Sequence, residues 1–163
     1  MRAIDECLRR KEAYASGFTK GNRPVPPAMK LAIVACMDAR LKVATLLGLE
    51  EGDAHIIRNA GGVVSDDVIR SLVISQRLLG TREIMLIHHT DCGMLSFDEG
   101  EVKEAICQET GIHPPFALEA FSDLEADLHQ SIARVKASSF VPHKDQVRGF
   151  VYEVETGRLR EVA

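Results

Sequence analysis

His89 and Cys92 lie three positions apart in His88-His89-Thr90-Asp91-Cys92-Gly93, directly after the apolar run Glu83-Ile84-Met85-Leu86-Ile87. An imidazole and a thiol at that spacing suit a soft-to-borderline metal such as zinc. Two ligands are too few, and the third candidate is Cys36, in Cys36-Met37-Asp38-Ala39-Arg40 at the end of a second apolar run. Two thiolates and one imidazole form a Cys₂His set, and three protein ligands with an open fourth position are the pattern of a catalytic zinc. A structural zinc wants four ligands, often in C-x-x-C pairs, and no C-x-x-C occurs. Asp38 is the remaining candidate ligand. Arg40, two residues on, can pair with it through a charge-assisted, bidentate hydrogen bond. So paired, Asp38 stays ionised and faces water at the metal; released, it fills the fourth position and closes the site.

For these residues to meet, the chain must bring two strand ends together. Leu31 to Cys36 is continuously apolar and reads as a strand buried on both faces, as in a parallel sheet. A short helix is expected from Leu41 to Leu47, stopped near Gly48, then a strand from Ala54 to Arg58. Asn59-Ala60-Gly61-Gly62 is a turn with backbone freedom. Ser65 reads as the N-cap of a helix with Asp66 and Asp67 in its first turn and Ile69, Leu72, Val73 and Leu79 on its inner face. The third strand is Glu83 to Ile87 or His88. Helix is expected over 101–109, a break over 111–115, and one or two helices over 118–135. Gln146 to Val154 alternates as a strand, and Glu155-Thr156-Gly157-Arg158 is a hairpin-like turn. The expected fold is α/β: a mostly parallel sheet of about four strands plus an antiparallel edge strand, flanked by helices. Parallel strands end on one edge, and ligands bind beyond that edge where strand order reverses. If the first and third strands are neighbours, Cys36, His89 and Cys92 converge there.

The totals agree with a single domain over residues 1–163, of which 1–30 form an N-terminal amphipathic helix (2–15) and an extended, proline-containing arm. The net charge of −4 gives no electrostatic support to a nucleic-acid role, and no apolar run suits a membrane span or a secretory signal. A cytoplasmic protein is expected, with its four cysteines (7, 36, 92, 107) reduced.

With these motifs assembled, the sequence resembles the β-class carbonic anhydrases, in their short prokaryotic branch. The resemblance rests on Cys36-Met37-Asp38-Ala39-Arg40, on Arg58-Asn59-Ala60-Gly61-Gly62 and on His89-Thr90-Asp91-Cys92-Gly93, in that order along the chain. It implies one Zn²⁺ per subunit on Cys36, His89 and Cys92, with Asp38 as a fourth ligand only in a closed resting state. It implies reversible hydration of CO₂ to bicarbonate and a proton by zinc-bound hydroxide, with Asp38 accepting a hydrogen bond from the hydroxide and Arg40 positioning Asp38. It also implies a homodimer or dimer of dimers. A pocket for so small and apolar a substrate would be narrow, with Gly61, Gly62, Val63 and Val64 as candidate lining. Relatives on the same scaffold hydrolyse carbonyl sulfide and carbon disulfide, and the ligand set cannot discriminate; Ala39 and Met94 replace the family's usual serine and glycine. A non-catalytic protein with Asp38 closing a four-ligand zinc is a third reading.

Several residues have plainer readings. His88 points opposite to His89 by strand alternation and reads as a packing or hydrogen-bonding residue. Asp91 reads as a carboxylate that orders its loop, His55 as a satisfied core or interface histidine, and Cys7 and Cys107 as bystanders. His113 and His129 are candidates for passing the proton to solvent.

Overall fold

The computed structural model describes residues 2–163. Strands β1 (Leu31–Cys36), β2 (Ala54–Asn59), β3 (Glu83–His89), β4 (Val147–Tyr152) and β5 (Leu159–Glu161) form one sheet in the order β2-β1-β3-β4-β5. The first four run parallel, and β5 pairs antiparallel with β4 through the turn after Tyr152. The antiparallel edge is thus the short Leu159–Glu161 segment, while the alternating strand before it joins the parallel set. β1 and β3 are direct neighbours. The chain steps from β1 outward to β2 and then back across to β3, so strand order reverses between β1 and β3.

The helices are α1 (Ala3–Ser16), α2 (Val43–Leu47), α3 (Asp66–Arg77), α4 (Glu99–Thr110) and α5 (Leu124–Ala137), of which α3 and α5 pack on the sheet. Strand alternation divides the core in two. Ala32 and Val34 of β1 and Ile84 and Leu86 of β3 pack with Val68 and Leu72 of α3 and Leu128, Ile132 and Val135 of α5. Ile33, Ala35 and Ile87 face the other way, with Leu41, Val43, Cys36, Cys92 and Met94. α5 lies so close to β4 that a Cβ on Gly149 would stand 2.7 Å from Ile132 Cδ1.

Local signals set the helix ends. The Ser65 hydroxyl accepts from Val68 N at the start of α3, and Gly48 ends α2 in the left-handed region at φ 65°. The expected helical stretch 118–135 is shorter than its pattern. Helix begins only at Leu124, behind an Asp123 cap. Residues 118–120 instead give their N–H groups to the Glu99 carboxylate, at 2.8, 3.0 and 3.4 Å, and Glu119 takes φ 64°, outside the helical region. α1 buries no residue: Ile4 is 73% and Leu8 53% exposed. No described helix is long and apolar enough to cross a membrane.

Candidate metal centre

The carboxyl ends of β1 and β3 deliver Cys36 and His89 to one edge of the sheet, and the turn after β3 adds Cys92. All three side chains are buried, and their ligand atoms lie within 4.8 Å of one another. The two sulfurs are 4.0 Å apart, about twice the length of a disulfide bond, so both are free thiols.

The turn between β2 and α3 closes against this edge. Gly61 and Gly62 adopt φ of 83° and 65°, and a Cβ on Gly62 would stand 2.8 Å from Cys36 N and 3.1 Å from Ile87 O. Only glycine permits that approach. Arg58, at the end of β2, donates from Nε to Cys36 O (2.9 Å) and from Nη2 to Asp38 O (2.8 Å), tying the two strand ends together. Met37 N donates to Asn59 O at 2.7 Å.

His89 shows what the cluster is built to hold. Its Nδ1–H donates to Thr90 O at 2.8 Å, which leaves Nε2 as the lone-pair nitrogen. Nε2 is buried and has no hydrogen-bond partner, on a side chain that is 0% exposed. A buried acceptor without a partner costs stability unless something else engages it. Two sulfurs beside that nitrogen form a Cys₂His donor set, and the set fits zinc.

The charges favour a cation. The hydrogen bond with Cys92, against the cost of burial, draws the Cys36 thiol well below its ordinary range, with help from His89. The same hydrogen bond, with burial, pushes Cys92 up. Burial opposes charge on His89, but the Cys36 sulfur and Thr90 carbonyl outweigh it and raise its pKa. A cation is bound by thiolates and a neutral imidazole, so its binding here releases protons.

Asp38 stands at the rim. Its Oδ1 accepts from Arg40 N (2.8 Å) and Nε (3.0 Å), and its Oδ2 from Arg40 Nη2 (2.7 Å). Arg40, through side chain and backbone, holds this carboxyl well below the usual carboxylate range. Oδ2 lies 3.7 Å from His89 Nε2, so Asp38 borders the cluster without joining it. Val63 stands beside Gly61, its Cγ1 3.2 Å from the Cβ position of that glycine. With Glu119, Asp127 and Arg134, Val63 and Val64 line a cavity of about 90 Å³, and Val64 packs in the core against Val68 and Leu72.

The neighbouring residues fall as their types suggest. His88 points away, donates from Nε2 to Asp127 Oδ2 at 2.7 Å and stacks on Phe121. His55 pairs with Ser75 Oγ at 2.8 Å. His129 and His113 are both exposed. Sequence reasoning placed Arg58 in the turn motif at this edge but gave it no role as a strut, although a cation at a strand's carboxyl end is a usable signal. It also missed Phe121, whose ring edge lies 3.2 Å from the Cβ position of Gly61 and whose N–H donates to Met94 O. No local pattern marks a contact across that many residues.

Comparison with known proteins places this geometry. The family model for carbonic anhydrase matches residues 31–110. Beta-carbonic anhydrase 1 of Mycobacterium tuberculosis is 56% identical over 162 residues, covering 99% of this chain and 99% of that protein. The crystal structure of carbonic anhydrase from Streptococcus mutans superposes with a TM-score of 0.93 at 43% identity, covering 100% of this chain and 99% of that one. A carbon disulfide hydrolase of Saccharolobus solfataricus is 36% identical, covering 97% of this chain and 88% of that protein.

Proposed function

The chain belongs to the β-carbonic anhydrase family, and from that premise we propose that it hydrates CO₂ reversibly to bicarbonate and a proton, with one zinc per subunit held by Cys36, His89 and Cys92. The observation that carries the proposal is His89 Nε2, a buried and partnerless lone pair beside two thiol sulfurs. Zinc held there supplies Lewis acidity, which makes water a nucleophile near neutral pH.

The chain's own residues do the rest. Thr90 O fixes the His89 tautomer, so its Nε2 is the ligand atom. Asp38, ionised and doubly held by Arg40, can only accept a hydrogen bond. It accepts one from the attacking oxygen, whose lone pair then points at the carbon of CO₂. The added oxygen and the carbon become bicarbonate, and the proton leaves to solvent. Gly61 and Gly62, which bring backbone instead of side chain against Cys36, keep the space beside the cluster narrow.

Carbon disulfide hydrolase relatives at 36% identity support a second reading, in which the same nucleophile attacks carbonyl sulfide or a related heteroallene. A closed, non-catalytic zinc is disfavoured, because Arg40 engages both Asp38 oxygens. We extend the proposal to a homo-oligomer, since α1 exposes Ile4 and Leu8 with no cover in its own chain, and to a cytoplasmic setting that keeps ligand thiols reduced.

The test is stopped-flow turnover of CO₂ and of carbonyl sulfide on one preparation of measured zinc content. CO₂ hydration should dominate and should rise from about pH 6 to about pH 9, because two thiolates offset the charge with which the metal acidifies water. Carbonyl sulfide turnover without CO₂ hydration would establish the second reading instead.

A further inference from the structure

Arg40 is held from two sides. Its Nε and Nη2 serve Asp38. The remaining edge serves Asp91: Nη1 donates to Asp91 Oδ2 at 2.8 Å, and Nη2 to Asp91 O at 2.9 Å. Contacts on both edges fix the plane of the guanidinium, which one carboxylate alone does not. Arg40 is otherwise half-exposed, and an exposed pair of long side chains is worth little when each can rotate away.

The backbone at Asp91 points to the same role. Its φ is 53°, in the left-handed region that a non-glycine residue rarely adopts. Such a conformation costs energy and persists where its surroundings require it. Here it lies between Thr90, whose carbonyl holds His89, and Cys92, and its own carbonyl meets Arg40. The Asp91 carboxylate is 79% exposed and has Arg40 as its ion-pair partner.

We propose that Asp91 is a positioning residue for this centre: through its carboxylate and its carbonyl it holds Arg40 so that Asp38 stays turned to Arg40 and off the ligand cluster. The distance at stake is short, since Asp38 Oδ2 already lies 3.7 Å from His89 Nε2. Loosening Arg40 therefore releases a carboxylate beside the fourth coordination position. The inference rests on the reading of Asp38 given above.

The experiment compares full-length wild type, Asp91→Ala, Asp91→Asn, Asp38→Ala and the Asp38→Ala/Asp91→Ala double variant, each loaded with Co²⁺ in place of zinc. Cobalt d–d absorption reports the ligand set whether or not the protein turns over substrate. Asp91→Ala should change the spectrum and lower kcat about fivefold, the scale of one exposed charged contact, with KM unmoved. Asp91→Asn keeps an oxygen acceptor for Nη1 and should fall between it and wild type. In the Asp38→Ala background, Asp91→Ala should change neither readout, because both act through one carboxylate. A wild-type spectrum in Asp91→Ala, or the same spectral change in the double variant, overturns the proposal. If Asp91→Ala does not fold, Asp91→Asn against Asp38→Ala/Asp91→Asn makes the same comparison. Failure of the Asp38 reading itself appears separately, as wild-type turnover in Asp38→Ala alone.

Discussion

Each of the three proposed ligands is a buried side chain whose donor atom has no substitute nearby, so each should be indispensable in its own way. Cys36→Ser and Cys92→Ser replace a soft sulfur with a hydroxyl that does not ionise at neutral pH, and His89→Ala removes the nitrogen outright. All three variants should lose zinc on dialysis and lose hydration with it, measured as metal content and stopped-flow rate on the same sample. Asp38→Ala is a different case. It leaves Cys36, His89 and Cys92 untouched, so zinc content should stay near one per subunit while turnover falls by about a hundredfold or more, the usual scale for losing one preorganised hydrogen bond at the reacting atoms. Full activity in Asp38→Ala would remove that residue from the mechanism. The ligand residues were legible because their types are rare and they sit at the ends of apolar runs. The partners of those residues were less so. Thr90 acts through its backbone carbonyl and Arg58 through its reach to the next strand, and neither contact has a sequence period.

Among the elements, strands were easier to read than the loop over 118–123. β1 is apolar throughout and β3 is apolar from Ile84 to Ile87 because both faces are covered there, and such short runs suit a central parallel strand. The loop instead carries a helix-like pattern from Leu118 onward, and a side chain nineteen residues earlier in the chain overrides it. Glu99 accepts the N–H groups of Leu118, Glu119 and Ala120, and the same loop sets Phe121 against Gly61. The Leu118 N–H, then Lys103, draws the Glu99 carboxyl below its ordinary value against the effect of burial. A lowered folded-state pKa gives stability that is complete above the ordinary carboxylate value of about 4.3 and is lost as pH falls through the lower folded value. Glu99→Gln should therefore unfold at lower urea than wild type at neutral pH, with the gap closing in acid. Amide exchange at Leu118 to Ala120 should quicken in the variant. Equal midpoints at neutral pH, with unchanged exchange, would show that the loop is held by other contacts.

For the molecule as a whole, the β2-β1-β3-β4-β5 order makes the site, because only a reversal between β1 and β3 opens a crevice at the ends of those two strands. Of that order the sequence reading held only a condition, that Cys36, His89 and Cys92 meet if β1 and β3 are neighbours, which they are. Nothing in the apolar runs themselves distinguishes it from other parallel orders. The same architecture leaves one part unexplained by a lone chain. α1 has fourteen residues, buries none of them, and is linked to the sheet through an arm held by Lys20 with Glu50 and Glu51. An isolated helix of that length is marginal in water. Its apolar residues Ile4 and Leu8, like Tyr14, are exposed, and a second copy of the chain is the cover that accompanies every molecule. Sedimentation should accordingly give a mass that is a multiple of 17.9 kDa. Removing residues 1–20 should lower that mass or weaken association on dilution, while leaving Cys36, His89 and Cys92 able to retain zinc. A monomer in the intact chain, with helicity undiminished at the lowest measurable concentration, would mean that α1 stands without a partner and that oligomerisation is no part of how this fold is completed.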